Sequence, residues 1–353
     1  MRKGIANLPL HYGSAPRWLF ERMKLLSRSI IEIMVMEFGT EEFLRRISDP
    51  FFFQSFGCVL GFDWHSSGLT TTLCGAMKEG IKGIEKDLGL FIAGGKGKAS
   101  RKTPDDIRRF GEISSVDSNK LIYASRMVAK VDTAGLQDGY NLYHHTFIFD
   151  KNGNWVVIQQ GMNTENRMAR RYHWISEGIE SFVKEPHKAI QCDSSGIVLN
   201  MVARESADAQ KISVEISCEN PEKTFKNIEK VLNLSKEHPI FLSDINSERI
   251  KKILLRTYER KPENFEELLG MEGVGPKTIR ALALVSEIIF GAKPSFKDPV
   301  SFSFAHGGKD GHPYPVNRNV YDRTIGILEK GIKEARLGNR EKLEVLKRLS
   351  IFY

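Results

Sequence analysis

Residues 141–160 carry the pattern that most constrains the fold, two short stretches rich in aromatic and β-branched residues around an Asn-Gly pair. The stretches are residues 141–150 and 155–160, and four polar residues separate them. Aromatic and β-branched residues favour strands, and Asn-Gly readily takes the positive φ angles of a type I′ turn. We therefore predict a β-hairpin with a two-residue turn, in which Lys151 pairs with Asn154.

This hairpin predicts where polar side chains gather. The register that follows from a two-residue turn places His145 opposite Gln160 and Thr146 opposite Gln159. Asp138 precedes the first strand in the chain, so we expect it at the same, open end of the hairpin. Strands usually point Val or Ile into a core, so polar residues on both faces of one strand end indicate a functional site there.

The remaining patterns divide the chain into two parts. Residues 1–215 alternate helical and strand patterns, whereas residues 221–290 contain only helical ones, and further amphipathic helical patterns follow a loop at 293–317. We predict an α+β protein with a mixed α/β N-terminal domain that contains the hairpin, followed by an all-α domain. The second domain would hold a helix-hairpin-helix at residues 262–290 and a Gly/Pro-rich loop at residues 293–317.

Composition narrows the class of protein. The chain has 353 residues, 41% of them hydrophobic, and its formal net charge is +8. No apolar run approaches the about 20 residues that a membrane span needs, so we expect a cytoplasmic protein without a membrane partner. The basic excess suits an approach to phosphates. The oligomeric state is left open.

The cysteines predict neither a zinc site nor an iron–sulphur cluster. The chain has four of them, Cys58, Cys74, Cys192 and Cys218. No pair has the close spacing that such sites use. We expect four reduced and mostly buried thiols.

The strongest motif is Leu-Leu-Gly-Met-Glu-Gly-Val-Gly-Pro-Lys-Thr, at residues 268–278. A short helix at 264–269 precedes it, and a second helix is predicted at 276–289. Gly273 and Gly275 allow a tight turn and a close approach to a ligand, because glycine has no Cβ. Proline suits the first position of the second helix, where its missing N–H costs nothing.

The start of that second helix has the chemistry of a phosphate site. Free N–H groups after Gly275 point outward at the positive end of the helix dipole, beside Lys277 and Thr278. A contact of this kind positions a nucleic-acid backbone and reads no bases. We therefore expect sequence-independent binding of DNA through Gly273, Gly275, Lys277 and Thr278. The alternative is an ordinary helical hairpin with a glycine turn.

The motif resembles the helix-hairpin-helix of DNA repair proteins, whose core reads apolar-x-Gly-apolar-Gly-x-Lys. The layout around it, from Arg249 to Gly291, also resembles the endonuclease III glycosylase family. That resemblance implies Lys277 as a catalytic lyase lysine, with an aspartate following in the chain. Asp298 lies slightly beyond the family's position, and the family's cysteine cluster is missing.

Five residues of the first domain are candidates for a reacting centre: Asp63, His65, Asp138, His144 and His145. Carboxylates and imidazoles together hold a divalent metal or act as acid and base on a phosphodiester. Mn²⁺, Zn²⁺ or Mg²⁺ are the expected ions, with ligands among Asp63, His65, Asp138 and His145. Each residue taken singly is as well explained as a helix cap or a hydrogen-bonded core group.

Four basic residues near this cluster are predicted to neutralise phosphate charge. They are Lys96, Lys98, Arg170 and Arg171. The leading hypothesis is a metal-assisted DNA nuclease of DNA repair or processing. A glycosylase or AP lyase using Lys277, and a non-catalytic nucleic-acid-binding protein, are the alternatives. We also expect the loop at 302–316, with His306 and His312, to close over the polar cluster.

Several long and unusual strings resemble a prokaryotic family known as domain of unknown function 763. They include Gly-Phe-Asp-Trp-His-Ser-Ser-Gly at 61–68, Leu-Gln-Asp-Gly-Tyr-Asn-Leu-Tyr-His-His at 136–145 and Ala-Arg-Arg-Tyr-His-Trp at 169–174. The resemblance covers most of the chain, from about residue 4 to residue 317. It implies no mechanism, so the functional argument depends on the residues themselves.

Overall fold

The structure is a computed structural model that describes residues 8, 10, 15–62, 66–192, 195–234 and 247–300, with a few positions between 326 and 347. Its helices are α1 (Arg17–Ser48), α2 (Pro50–Val59), α3 (Gly68–Gly80), α4 (Glu85–Leu88), α5 (Lys98–Arg101), α6 (Thr103–Ser114), α7 (Ser118–Lys130), α8 (Ala207–Ser217), α9 (Pro221–Leu234), α10 (Ser247–Arg260), α11 (Phe265–Gly270) and α12 (Pro276–Phe290). A π-helical turn, Val131–Gly135, extends α7, and a 3₁₀ turn, Arg204–Ser206, precedes α8.

The strands form two antiparallel sheets. They are β1 (Leu90–Lys96), β2 (Leu136–Gln137), β3 (Asn141–Asp150), β4 (Trp155–Asn163), β5 (Met168–Ile175), β6 (Ala189–Gln191), β7 (Ile197–Asn200) and β8 (Ser295–Lys297). The larger sheet has the order β1-β3-β4-β5-β6, and the smaller has the order β2-β7-β8. The protein is therefore a mixed α/β structure, as the sequence predicts.

Helices cover both faces of the larger sheet. Ile148, Val156 and Ile158 pack with α1, α2 and α3 in one apolar core. Phe147 and Val157, their neighbours along the strands, point the other way and pack with α6 and α7, because successive side chains of a strand alternate between its faces. The central strands are thus buried on both sides.

The second core does not stop at the predicted domain boundary. It continues from the sheet into α8 and on to the buried side chains of α11 and α12, including Leu268 and Leu282. The α11–α12 pair therefore packs directly on the α/β part. The prediction that the chain after residue 215 is all helical is wrong, because Ser295 and Lys297 of β8 pair with Asn200 and Ile197 of β7. The sequence did not predict β8, because this strand has only three residues and its partner strand, β7, lies about 100 residues earlier in the chain.

The β3–β4 hairpin has the predicted strands but another turn. Asp150, rather than Lys151, pairs with Asn154 through its backbone N–H (3.0 Å), which leaves a three-residue loop. The Asp150 carboxylate accepts hydrogen bonds from the N–H groups of Asn152 (2.9 Å) and Asn154 (3.0 Å), and Gly153 takes a φ of 87°. This capped turn with a left-handed glycine is the three-residue hairpin loop.

The register is consequently shifted by one residue from the prediction. His145 lies opposite Gln159, His144 opposite Gln160, and Thr146 opposite Ile158. Because the side-chain period of a strand is two, the shift decides which residues share a face. His145 and Gln159 now lie side by side on the face that packs against α7.

Two further findings concern the whole described chain. None of the helices in the described ranges combines the length and the apolar character that crossing a bilayer requires. The four cysteines form no disulfide with one another, and Cys58, Cys74 and Cys192 are buried, as the expectation of mostly buried thiols requires.

Candidate functional site

The turn between α11 and α12 has the conformation that its glycines permit. Gly273 takes a φ of 90°, and Gly275 is the extended N-cap residue of α12, with Pro276 in the first turn. A Cβ on Gly273 would lie 3.5 Å from Nη1 of Arg256, so this arginine of α10 lies beside the turn. Lys277 is exposed, whereas Thr278 is buried. The phosphate contact predicted for Thr278 therefore stays a prediction for its backbone N–H, in the first turn of α12.

The turn is attached firmly to the end of α7. The Lys130 ammonium donates to the carbonyl oxygens of Met271 (3.1 Å) and Val274, and burial lowers the pKa of Lys130. The Gln137 amide donates to the Pro276 carbonyl (2.9 Å). These bonds hold the inner carbonyl groups of the turn against the α/β part and fix the direction of its outer side.

Basic side chains flank the turn. Along α10, exposed basic residues recur at spacings of three and four and so lie on one face of the helix. They are Arg249, Lys252, Arg256 and Arg260. Arg126 of α7 is also exposed, one helical turn before the Lys130 that bonds to the 271–275 turn. The exposed acid within the turn itself is Glu272. We refer to α10's basic residues, the 271–275 turn and Lys277 together as the hairpin surface.

The three predicted catalytic residues that the structure describes, Asp138, His144 and His145, do not meet at one point. His144 and His145 are successive residues of β3, so their side chains lie on opposite faces of the sheet. His145 bonds to Ser125 of α7, and His144 bonds to Thr146 on the other face. Asp63 and His65 lie outside the described residues. Within the described ranges, no group of three His, Cys, Asp or Glu side chains is placed to hold a metal.

Asp138 is held in a buried ion pair rather than near a histidine. Arg170 donates to Asp138 (2.9 Å) and through both terminal nitrogens to Asp298 (2.8 and 3.1 Å). The Tyr172 hydroxyl also donates to Asp138 (2.7 Å). Burial raises the pKa of Asp138, and the Arg170 guanidinium opposes that rise. The same arginine forms an ion pair with Asp298, the aspartate of the lyase alternative.

The phosphate-binding role predicted for Arg170 and Arg171 does not fit their positions. Arg170 is 2% exposed and Arg171 is fully buried. Arg171 donates to Thr70 (2.8 Å), Gln54 (3.0 Å) and Gln191 (3.0 Å). The physical reason is that β5 is covered on both faces, so even charged side chains of this strand lie inside the protein. Lys96 and Lys98, in contrast, are exposed at the end of β1.

A chain of polar groups that the sequence did not reveal runs from α7 through the sheet. Ser125 Oγ lies 2.9 Å from Nε2 of His145, and Nδ1 of His145 lies 2.7 Å from Oε1 of Gln159. The Gln159 amide nitrogen then bonds to Asp132. We call these four residues the Ser125–Asp132 relay. Ser125 and Asp132 are seven residues apart, two helical turns, and this spacing beside a polar strand was the signal available in the sequence.

The relay borders a cavity at the ends of β1 and β3. The cavity has a volume of about 270 Å³, and its lining includes Ser125, His145, Gln159, Arg101 and Arg126. Burial lowers the pKa of His145, while the hydrogen bond to Gln159 and the charge of Asp132 act in the opposite direction. The imidazole is therefore neutral at pH 7 and has one nitrogen able to accept a proton.

Gly94 sets the position of His145 beside this cavity. Gly94 has a φ of 82°, and a Cβ there would lie 2.3 Å from the His145 carbonyl oxygen. We expect Gly94→Ala to lower the free energy of unfolding by about 3 kcal/mol, through backbone strain and overpacking. Gly97→Ala is the control, since Gly97 also has a positive φ but no atom within 4 Å of its Cβ position. Equal decreases in the free energy of unfolding of the two variants, measured in urea, would contradict this account.

The chain matches one protein family, described as protein of unknown function (DUF763), over residues 4–316. Neither the curated proteins nor the solved structures contain a significant match.

Proposed function

The chain belongs to the DUF763 family of proteins of unknown function, and we propose that it binds nucleic acid, with DNA as the expected form, through the hairpin surface. The contacts are to phosphates and are independent of sequence. The observation that carries the proposal is the position of Arg256 beside a glycine turn that opens a 15-residue helix.

Three features of that place favour a phosphate. The first turn of α12 presents N–H groups at the positive end of the helix dipole. Gly273 and Gly275 keep side chains away from the approaching ligand. Lys277 and Arg256 add positive charge on either side of the turn. The start of α12, its exposed Lys277 and the exposed Arg256 of α10 thus all lie at or beside the 271–275 turn.

The shape of the surface favours an extended polyanion over a single ion. Basic residues of α10 continue away from the turn, with Lys252 one helical turn before Arg256 and Arg249 beyond it. The attachment of the turn to α7 through Lys130 makes the surface rigid. A preformed row of cations suits successive phosphates of a backbone, which lie several ångströms apart along each strand.

Metal-assisted cleavage stays a prediction. Two of its candidate ligands, Asp63 and His65, lie outside the described residues. In the described part, His145 is engaged by Ser125 and Gln159, and Asp138 by Arg170. The hairpin surface lies in the described part and supports the binding function, so that function is the one proposed.

Charge reversal at the turn tests the proposal. We expect Arg256→Glu to weaken binding to a duplex about tenfold or more, and Gly275→Glu to act similarly, because each sets a carboxylate against the phosphate position. The matched control is Lys86→Glu, the same charge change at an exposed residue of α4 on the opposite face of the sheet. Fluorescence anisotropy with duplex DNA, single-stranded DNA and RNA measures the affinities.

The comparison between the two charge reversals decides the outcome. If Lys86→Glu weakens binding as much as Arg256→Glu does, attraction arises from net charge alone and the hairpin surface has no special role. If RNA binds more tightly than both forms of DNA, the expected partner is wrong although the surface is right. Unfolding in urea checks that each variant keeps its fold.

A further inference from the structure

We propose that Ser125 and His145 form a catalytic nucleophile–base pair that transfers phosphoryl groups from phosphate esters in the cavity at the ends of β1 and β3. The residues involved are separate from the hairpin surface. The two proposals therefore stand or fall independently.

The hydrogen bonds of the Ser125–Asp132 relay fix the direction of every proton in it. The Val128 carbonyl oxygen accepts from the Gln159 side chain (3.4 Å), so the amide nitrogen of Gln159 must lie on that side. The oxygen of the same amide then faces His145, and Nδ1 of the imidazole donates to it (2.7 Å). Nε2 consequently carries the lone pair and accepts the Ser125 hydroxyl proton (2.9 Å).

This arrangement has the geometry that activates a serine. A nucleophilic hydroxyl needs a base within about 2.6–3.2 Å, and the base needs a third group that holds its tautomer. Gln159 is that third group, and Asp132 holds Gln159 in turn. Asp132 is itself fixed by Trp174 Nε1 (2.9 Å) and His187 Nε2 (2.5 Å). Gln159 and Asp132 are positioning residues, since they act through His145.

The cavity supplies room for a substrate and charge to recognise it. Ser125 and His145 are 3% and 7% exposed, and both line the cavity of about 270 Å³. Arg101 of α5 and Arg126 of α7 line it from two sides and are exposed at its rim. Two guanidinium groups around a nucleophile suit a phosphoryl group, whose oxygens carry charge throughout the transfer. A neutral carboxylic ester would not need them.

The chemical step balances without a metal or a redox partner. Ser125 Oγ attacks phosphorus, so an O–P bond to serine forms and the P–O bond to the leaving group breaks. The serine proton passes to His145 Nε2 and from there to the leaving oxygen. Water then attacks the phosphoserine, Nε2 takes the water proton, and that proton returns to Ser125 Oγ as phosphate leaves.

The test uses a fluorophosphonate probe on the intact protein, with adducts located by mass spectrometry. Attack by Ser125 forms the O–P bond and releases fluoride. We expect one adduct, on Ser125, that is absent from Ser125→Ala and forms about 100-fold more slowly in His145→Gln, the loss typical of a removed general base. Ser100→Ala is the control, because this hydroxyl lines the same cavity but donates to the Gly97 carbonyl (2.6 Å). A folded wild-type protein without an adduct on Ser125 overturns the proposal.

Three nitrophenyl esters identify the substrate class. We expect release of nitrophenolate from p-nitrophenyl phosphate or from bis(p-nitrophenyl) phosphate, and the active one distinguishes a monoester from a diester. Arg126→Met slows this release and leaves the fold intact. If only p-nitrophenyl acetate releases nitrophenolate, the assignment to phosphate esters is wrong. If none of the three esters releases nitrophenolate, the protein does not turn over such esters and the proposed catalysis is wrong.

The pH profile of labelling tests the positioning role of Asp132. Labelling needs the neutral imidazole, so the rate falls as the pH drops through the lowered pKa of His145. Four ionisable residues lie near His145. Asp132 is linked to it through Gln159, His144 is its neighbour on the same strand, and Arg101 and Arg126 line the cavity. Asp132→Asn removes the charge that raises the pKa of His145. The fall of the labelling rate at acidic pH, the acid limb of the profile, therefore moves to lower pH. An unchanged limb contradicts the relay, because a merely structural role would alter stability only.

Discussion

Replacing Arg170 with methionine is expected to lower the free energy of unfolding by about 3–5 kcal/mol, the loss typical when one partner of a buried ion pair is removed. Arg170 is 2% exposed and holds two carboxylates, Asp138 and Asp298, whose side chains are 1% and 4% exposed. Methionine keeps much of the volume but leaves both carboxylates buried without a cation. Urea unfolding monitored by circular dichroism measures the change.

An exposed pair provides the matched comparison. Arg108 forms an ion pair with Asp105 on α6, and both side chains are more than half exposed. Arg108→Met should therefore cost less than about 1 kcal/mol. Adding Asp138→Asn and Asp298→Asn to Arg170→Met removes the orphaned charges and should restore much of the stability. Similar decreases in the free energy of unfolding for Arg170→Met and Arg108→Met would contradict the claim that burial makes the Arg170 ion pair important for stability.

Acidification is the second change with a large expected effect. His144, His145 and His173 are buried, and burial lowers the pKa of each of them, that of His144 to about 3. The unfolded chain binds protons at these residues below about pH 6.5, whereas the folded chain does not until its lowered pKa is reached. The contribution of these three residues to the free energy of unfolding is therefore constant above about pH 6.5 and is lost as the pH drops below it.

The expected slope is at most about 4 kcal/mol per pH unit for the three histidines together, from about 1.4 kcal/mol for each. Urea unfolding at pH 7, 6, 5.5 and 5 measures it. His144→Gln keeps a polar group for Thr146 but removes one titration, so its slope should be shallower by about a third. A wild-type stability that stays flat from pH 7 to pH 5 would contradict the buried, neutral state of these side chains.

The local elements of this protein could be predicted from the sequence because their signals are local. The helices on either side of the 271–275 turn begin and end within one or two residues of the prediction. The strands of the hairpin were also found. Its register was not, because a single side chain, the Asp150 carboxylate, favours a three-residue turn over the two-residue turn that Asn-Gly suggests.

The candidate site was harder to predict because it depends on contacts distant in sequence. His145 was selected for its polar neighbours on the hairpin, but its partner Ser125 comes from a helix 20 residues earlier. His144 and His145 look like a pair in the sequence, whereas strand alternation separates them. Arg170 and Arg171 looked like phosphate ligands because their burial depends on helices packed over β5.

Salt dependence of DNA binding by the intact protein tests the central claim most directly. The account predicts that log K falls linearly with log salt, with a slope of about −2 to −4 for two to four neutralised phosphates. Two duplexes of equal length and unrelated sequence should bind equally, and Arg256→Glu should reduce the slope by about one. Absence of binding at low salt, affinity that does not change with salt, or a strong preference for one sequence would contradict phosphate-backbone recognition by the hairpin surface.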